Sequence, residues 1–266
     1  MSRVVVVTGG TRGIGLGLAK AFLAKGCKVA ICGRSETSVQ RALEELAPLG
    51  EVHGFPCDVS DPKQVQAFWD SATASFGRVD IWINNAGVMH SLTEFSGAST
   101  EEIRSVVDVN LLGTLYGTHV AMRGMREQQG GGFVFLMEGL GSDGKTRAHH
   151  TLYGTTKSAV RYLFKSLVDE AADGPVRIGS ISPGIVVTDL LMDVYEDRPE
   201  DEVQRVKRVF NILADRVETV APWIAEQVLS AGNNGATITW LTGLTAFGRF
   251  MTAPFHKRDL FAEATH

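Results

Sequence analysis

Apolar residues along the chain gather into short runs, separated by longer stretches with helical periodicity. The runs occupy residues 3–8, 28–32, 51–56, 81–84, 133–137, 177–182 and 236–241. Several, such as Val4-Val5-Val6-Val7, are apolar throughout instead of alternating, which is the pattern of strands covered on both faces. Start and stop signals frame the stretches between them. Pro62 after Asp61 suits a first helical position, and Ser99-x-x-Glu102 and Asp215-x-x-Glu218 read as capping boxes, the second with Asp in place of a hydroxyl. Gly26 and Gly77 fall where helices should stop, just before strands resume. Strand and helix alternating over the whole length predict right-handed crossovers and a single-domain α/β Rossmann fold over residues 1–266. Its sheet is expected to be doubly wound, parallel and seven-stranded, with helices on both faces.

Two segments depart from that rhythm. Residues 186–215 form a long insertion after a strand, in which Val203, Val206, Phe210 and Leu213 recur at helical spacing. They fit either a surface helix closing on the core or a lid over a substrate. The tail, residues 242–266, is rich in aromatics from Phe247 to Phe261, with Lys257 and Arg258 among them. It fits packing against the core or a partner subunit, a wall for a flat macrocycle, or a weak membrane-surface contact.

Composition narrows the classes of function. The 266 residues are 44% hydrophobic and 21% charged, ordinary for a globular protein with a well-covered core. A formal net charge of -4 without a basic cluster gives no electrostatic footprint for nucleic acid. No stretch reaches the ~18–20 apolar residues that span a bilayer, and Gly9-Gly10 ends the first run too early for a secretion signal. Cys27, Cys32 and Cys57 are odd in number and lack C-x-x-C spacing, so no disulfide framework and no metal site is expected. A reducing, cytoplasmic setting fits these features.

Chemistry begins where the first run ends. Thr8-Gly9-Gly10-Thr11-Arg12-Gly13-Ile14-Gly15 leads from a strand into a helix. Glycines there allow a tight turn and close approach of phosphate oxygens, and the helix start offers free N–H groups to a pyrophosphate. After the second run stands Cys32-Gly33-Arg34-Ser35, with no acid to bind a ribose diol. Arg34 and Arg12 instead suit a 2′-phosphate, so NADP(H) is the expected cofactor, and Glu36 reads as a first-turn acid after an N-cap Ser35. Tyr153 and Lys157 share one face of a helix at i and i+4. A cation about 5 Å from a phenol, at an effective dielectric near 20, favours the phenolate by roughly 3 kcal/mol, or about two pKa units. Such a tyrosine can hand a proton to an oxygen receiving hydride. The spacing alone equally fits a surface pair.

These motifs, with Asp58, Asn84-Asn85-Ala86-Gly87, Asn110 and Ser182-Pro183-Gly184, make the chain resemble the short-chain dehydrogenase/reductase family over nearly its whole length. The resemblance implies that Asp58 and Val59 contact adenine and that Asn85, Ala86 and Gly87 line the cofactor. It implies that Asn110 anchors a proton-relay water, that Lys157 holds the nicotinamide ribose, and that Pro183, Gly184, Ile185 and Thr188 border the nicotinamide. It also implies a homodimer or homotetramer. The family usually carries a serine about a dozen residues before the tyrosine. Here an ungapped reading places Glu138 at that point, and Ser142 is the nearest hydroxyl. Ser142 is therefore expected to orient the substrate carbonyl, because a hydroxyl donates and an ionised Glu138 only accepts. Glu138 would then be an acceptor for loop N–H groups or a buried acid. His149 and His150 fit a solvated loop or the rim of a pocket.

The loop Met137-Glu138-Gly139-Leu140-Gly141-Ser142, together with Thr188-Asp189-Leu190-Leu191-Met192, Asn211-Ile212-Leu213-Ala214 and Trp240-Leu241-Thr242-Gly243-Leu244, is similar to chlorophyll b reductases. That likeness implies NADPH-dependent reduction of a 7-formyl group to 7-hydroxymethyl. The alternatives are reduction of another lipophilic aldehyde or ketone, such as a 3-oxoacyl or polycyclic substrate, or a non-catalytic NADP(H)-binding sensor or scaffold.

Overall fold

The computed structural model describes residues 2–196, 198–255 and 258–261. The first half alternates as read: β1 (Val4–Val7), α1 (Gly13–Ala24), β2 (Lys28–Gly33), α2 (Glu36–Leu46), β3 (Val52–Pro56), α3 (Pro62–Phe76) and β4 (Ile81–Asn84). Then come α4 (Thr100–Val107), a π-helical turn (Asp108–Leu112), α5 (Gly113–Glu127), β5 (Gly132–Met137), α6 (Thr151–Glu170) and β6 (Val176–Ser182). The insertion holds β7 (Val186–Val187), α7 (Asp189–Met192), α8 (Glu200–Leu213) and β8 (Asp215–Arg216). Last are α9 (Val217–Ser230), β9 (Ala236–Thr239) and α10 (Gly243–Thr252).

The seven-stranded sheet runs β3-β2-β1-β4-β5-β6-β9, and every pairing in it is parallel. Chain order reverses between β1 and β4, the switch point at which strand ends open a crevice. Each face of the sheet has its own core. One packs Leu18 and Phe22 of α1 with Ile224 and Val228 of α9, the other Phe68 and Trp69 of α3 with Met125 of α5 and Phe164 of α6. This double burial explains why the strands read as continuous apolar runs.

The helix signals fare unequally. Asp61 caps α3 through Lys63 N, with Pro62 in the first turn, and Gly77 closes that helix at φ +83°. Ser99 caps α4, but Glu102 turns away from it to accept from Ser91 N and Oγ, so only half of the expected box forms. The box at Asp215 does not form. Arg216 is the N-cap of α9, and the buried Asp215 carboxylate takes Trp240 Nε1 at 2.6 Å, Arg249 Nη1 at 2.7 Å and Arg258 Nη2 at 2.6 Å. Two arginines and an indole outcompete a role that only local N–H groups would fill.

The insertion builds a third core. Tyr195 and Phe210 pack with Leu92, Val203, Val206, Leu260 and Phe261, while β7 and β8 pair as a separate two-stranded sheet. Among the described residues nothing covers much of the apolar face of α10: Leu244 is 87% and Phe247 66% exposed. None of its residues lines the cleft described below. Lys257 lies outside the described residues. No helix among the described residues is long and apolar enough to cross a membrane.

Candidate active site

A cleft of about 820 Å³ opens at the carboxyl ends of β1, β2, β4, β5 and β6, with residues of the insertion forming one wall. At one end lies the glycine loop. Gly9 and Gly13 sit at φ +63° and +54°, in the left-handed region. A Cβ on Gly15 would lie 2.2 Å from Gly9 O and 2.5 Å from Asn85 Nδ2, so the loop can only fold this tightly around glycine. Thr8 Oγ1 locks it to β4 by accepting from Asn85 N and Ala86 N, both at 3.0 Å. Asn85 Nδ2 donates to Thr8 O at 2.8 Å and Gly9 O at 3.2 Å. The Asn85 side chain thus shapes the loop from behind.

Helix α1 starts at this loop with no side-chain cap and no acid in its first turn. Its free N–H groups suit an anion. Arg12 and Arg34 are exposed, line the cleft, and have no acidic partner among the described residues. Ser35 caps α2 by accepting from Ser38 N, which leaves Glu36 in the first turn as expected. Asp58 and Val59 close this end of the cleft, with Asp58 Oδ1 taken by Ser60 N and Oγ at 3.0 and 2.7 Å. Two free cations, an uncapped helix and a glycine cradle fit a phosphorylated dinucleotide. Replacing Arg34 with Ala should therefore weaken NADPH binding roughly 10- to 100-fold, the worth of a charge-assisted contact, and leave NADH binding unchanged. Calorimetric titration with both cofactors checks this, and equal losses would remove Arg34 from the 2′-phosphate site.

At the other end stand Tyr153 and Lys157 on α6. Lys157 Nζ lies 5.7 Å from the centre of the tyrosine ring and donates to Met137 O at 3.1 Å. Burial pushes the phenol up to about 12. It also pulls the ammonium down to about 8, against partial support from the Glu138 carboxylate. The expected lowering of Tyr153 by Lys157 alone is thus corrected: desolvation dominates both groups in the free chain.

Asn110, fully buried, sits in the π-helical turn between α4 and α5, a kind of irregularity common at functional sites. Its Oδ1 accepts from Val88 N at 2.8 Å and its Nδ2 donates to Val88 O at 2.9 Å, which fixes Gly87 and Val88 beside Lys157. Pro183, Gly184, Ile185 and Thr188 line the cleft after β6, and Thr188 caps α7.

The serine reading changes most. Ser142 does not line the cleft. Its Oγ accepts from Gly139 N at 3.1 Å and donates to Lys157 O at 3.2 Å, so the hydroxyl proton is already used. The position facing the tyrosine is Gly139, where a Cβ would lie 2.5 Å from Tyr153 Oη. Glu138 turns instead to Arg161. His150 is buried at the cleft wall, whereas His149 is exposed at φ +63°. Leu140 of the quoted β5 loop and Leu191, Tyr195 and Phe210 of the 186–215 segment line the cleft, whereas sequence reasoning missed Met89 and Arg147, which reach it from two separate loops that no local pattern links.

The short chain dehydrogenase family profile matches residues 3–199. The chain is 37% identical over 259 residues to the chloroplastic chlorophyll(ide) b reductase NOL of Oryza sativa subsp. japonica, covering 93% of this chain and 74% of that protein. It is 35% identical over 258 residues to the probable chloroplastic chlorophyll(ide) b reductase NYC1 of the same plant, covering 90% of this chain. The chain spans only half the length of that second relative. The crystal structure of levodione reductase matches with a TM-score of 0.80 at 27% identity, over 92% of this chain and 98% of that one.

Proposed function

The chain belongs to the short chain dehydrogenase family as an NADP(H)-dependent oxidoreductase of CH–OH and C=O groups, and we propose that it reduces the carbonyl of a lipophilic aldehyde or ketone. The observation that carries this reading is the placement of Tyr153 Oη. It stands beside the bare Gly139 backbone, in a cleft that the glycine loop lines together with an apolar wall of Met89, Leu140, Leu191 and Phe210. NADPH supplies the hydride when bound. Tyr153 gives its proton to the carbonyl oxygen, and Lys157 and Asn110 hold the groups through which that proton is replaced. The apolar wall takes the body of the substrate and keeps water from the reacting carbon.

Within that class, the 7-formyl group of chlorophyllide b is the sharper candidate. It is supported by the two rice relatives, whose names specify chlorophyll(ide) b, and by alignments that reach into the last third of this chain. Purified protein with NADPH should convert chlorophyllide b to the 7-hydroxymethyl pigment, followed by absorbance and chromatography. Turnover of cyclic ketones or 3-oxoacyl thioesters without turnover of the pigment would reject chlorophyllide and keep the class. NADPH binding without turnover of any carbonyl would reject the reductase reading.

A further inference from the structure

Tyr153, Lys157 and Arg161 recur every fourth residue, so the reacting face of α6 continues one turn past the lysine. Arg161 Nη1 donates to Glu138 Oε1 and lies 3.5 Å from Ser180 Oγ on β6, with its guanidinium 5.2 Å over the Phe164 ring. Glu138 is 7% exposed and directly follows Met137, whose carbonyl receives Lys157 Nζ. We propose that the Glu138–Arg161 pair is a positioning pair for the reaction, one that holds the end of β5 under Lys157 and sets how much negative charge the lysine sees.

A buried ammonium has three donors to satisfy and is costly without a nearby carboxylate. Lys157 is 4% exposed, and among the described residues its ammonium donates to one neutral carbonyl. The groups around it are Tyr153 and Arg161 on its own helix, Met137 and Glu138 at the end of β5, and the uncharged Gly87 and Asn110 opposite. Among the described residues Glu138 is the carboxylate that acts on it, and its effect opposes the depression caused by burial. Arg161 competes for that same carboxylate.

This arrangement fixes opposite signs for two substitutions. Glu138→Gln removes the carboxylate and should make Lys157 lose its proton at lower pH. Arg161→Gln leaves the carboxylate without its other partner and should make Lys157 hold its proton to higher pH. A pair that merely stapled the loop would behave otherwise, because either change would admit water and move the lysine upward.

The inference rests on the proposed role of Lys157, yet its test needs neither substrate nor cofactor, so the two can fail separately. The full chain, labelled with carbon-13 at lysine Cε, is titrated by NMR, with the Lys157 signal assigned by its loss in Lys157→Met. The parent should titrate near 8, Glu138→Gln about one pH unit lower, and Arg161→Gln about one unit higher. Unmoved midpoints, or upward shifts in both variants, overturn the proposal. Should Glu138→Gln fail to fold, Arg161→Gln against Arg161→Lys decides it. Loss of the charge should raise the midpoint and its retention should leave the midpoint in place; equal shifts in both overturn the proposal.

Discussion

Replacing Tyr153 with Phe should reduce turnover by about 10³-fold, within the range of a lost general acid, while NADPH still binds. Among the described residues no group hydrogen-bonds Tyr153 Oη, so removing it orphans no partner and should leave the fold intact. Gly139 has no side chain to offer, and the Ser142 hydroxyl already donates to Lys157 O. Single-turnover oxidation of NADPH, beside a fluorescence titration of binding, separates the two effects. A loss smaller than about tenfold would remove Tyr153 from the proton transfer.

The Tyr153–Lys157 face was legible because a helix forces residues four apart onto one side, whatever surrounds them. The sheet was legible because parallel strands covered on both faces must be apolar throughout; observed ends differ from the reading by a residue or two, as at Val4–Val7 and Ala236–Thr239. The serine position was not legible. Counting along β5 without a gap names Glu138, but beyond Met137 the chain leaves the strand, and Gly139 becomes the residue that faces Tyr153. The charge states of Tyr153 and Lys157 were also hidden, since spacing carries no information on desolvation. Asp215 shows the same limit at larger scale. Its motif fitted a local cap, whereas its partners Arg249 and Arg258 lie 34 and 43 residues further along.

That buried carboxylate gives the second large effect. Replacing Asp215 with Ala should cost about 3–5 kcal/mol, the penalty for breaking a buried pair from one side, and lower the melting temperature by roughly 10 °C. Asp215 joins four parts of the chain: β8 through its own backbone, the end of β9 through Trp240, α10 through Arg249, and the tail through Arg258. Its N–H also donates to Ile185 O at 3.0 Å, and Ile185 lines the cleft. The damage should therefore reach the cleft wall and raise the KM for the carbonyl substrate more than it lowers kcat, since Tyr153 and Lys157 stand on a different element. Asp215→Asn keeps an acceptor for the indole but removes the charge that two arginines share, so it should fall between parent and Ala. Calorimetry on the three proteins checks the order. A melt for Asp215→Ala within about 2 °C of the parent would mean that the arginines find solvent at little cost, and that the insertion is held by the Tyr195–Phe210 core instead.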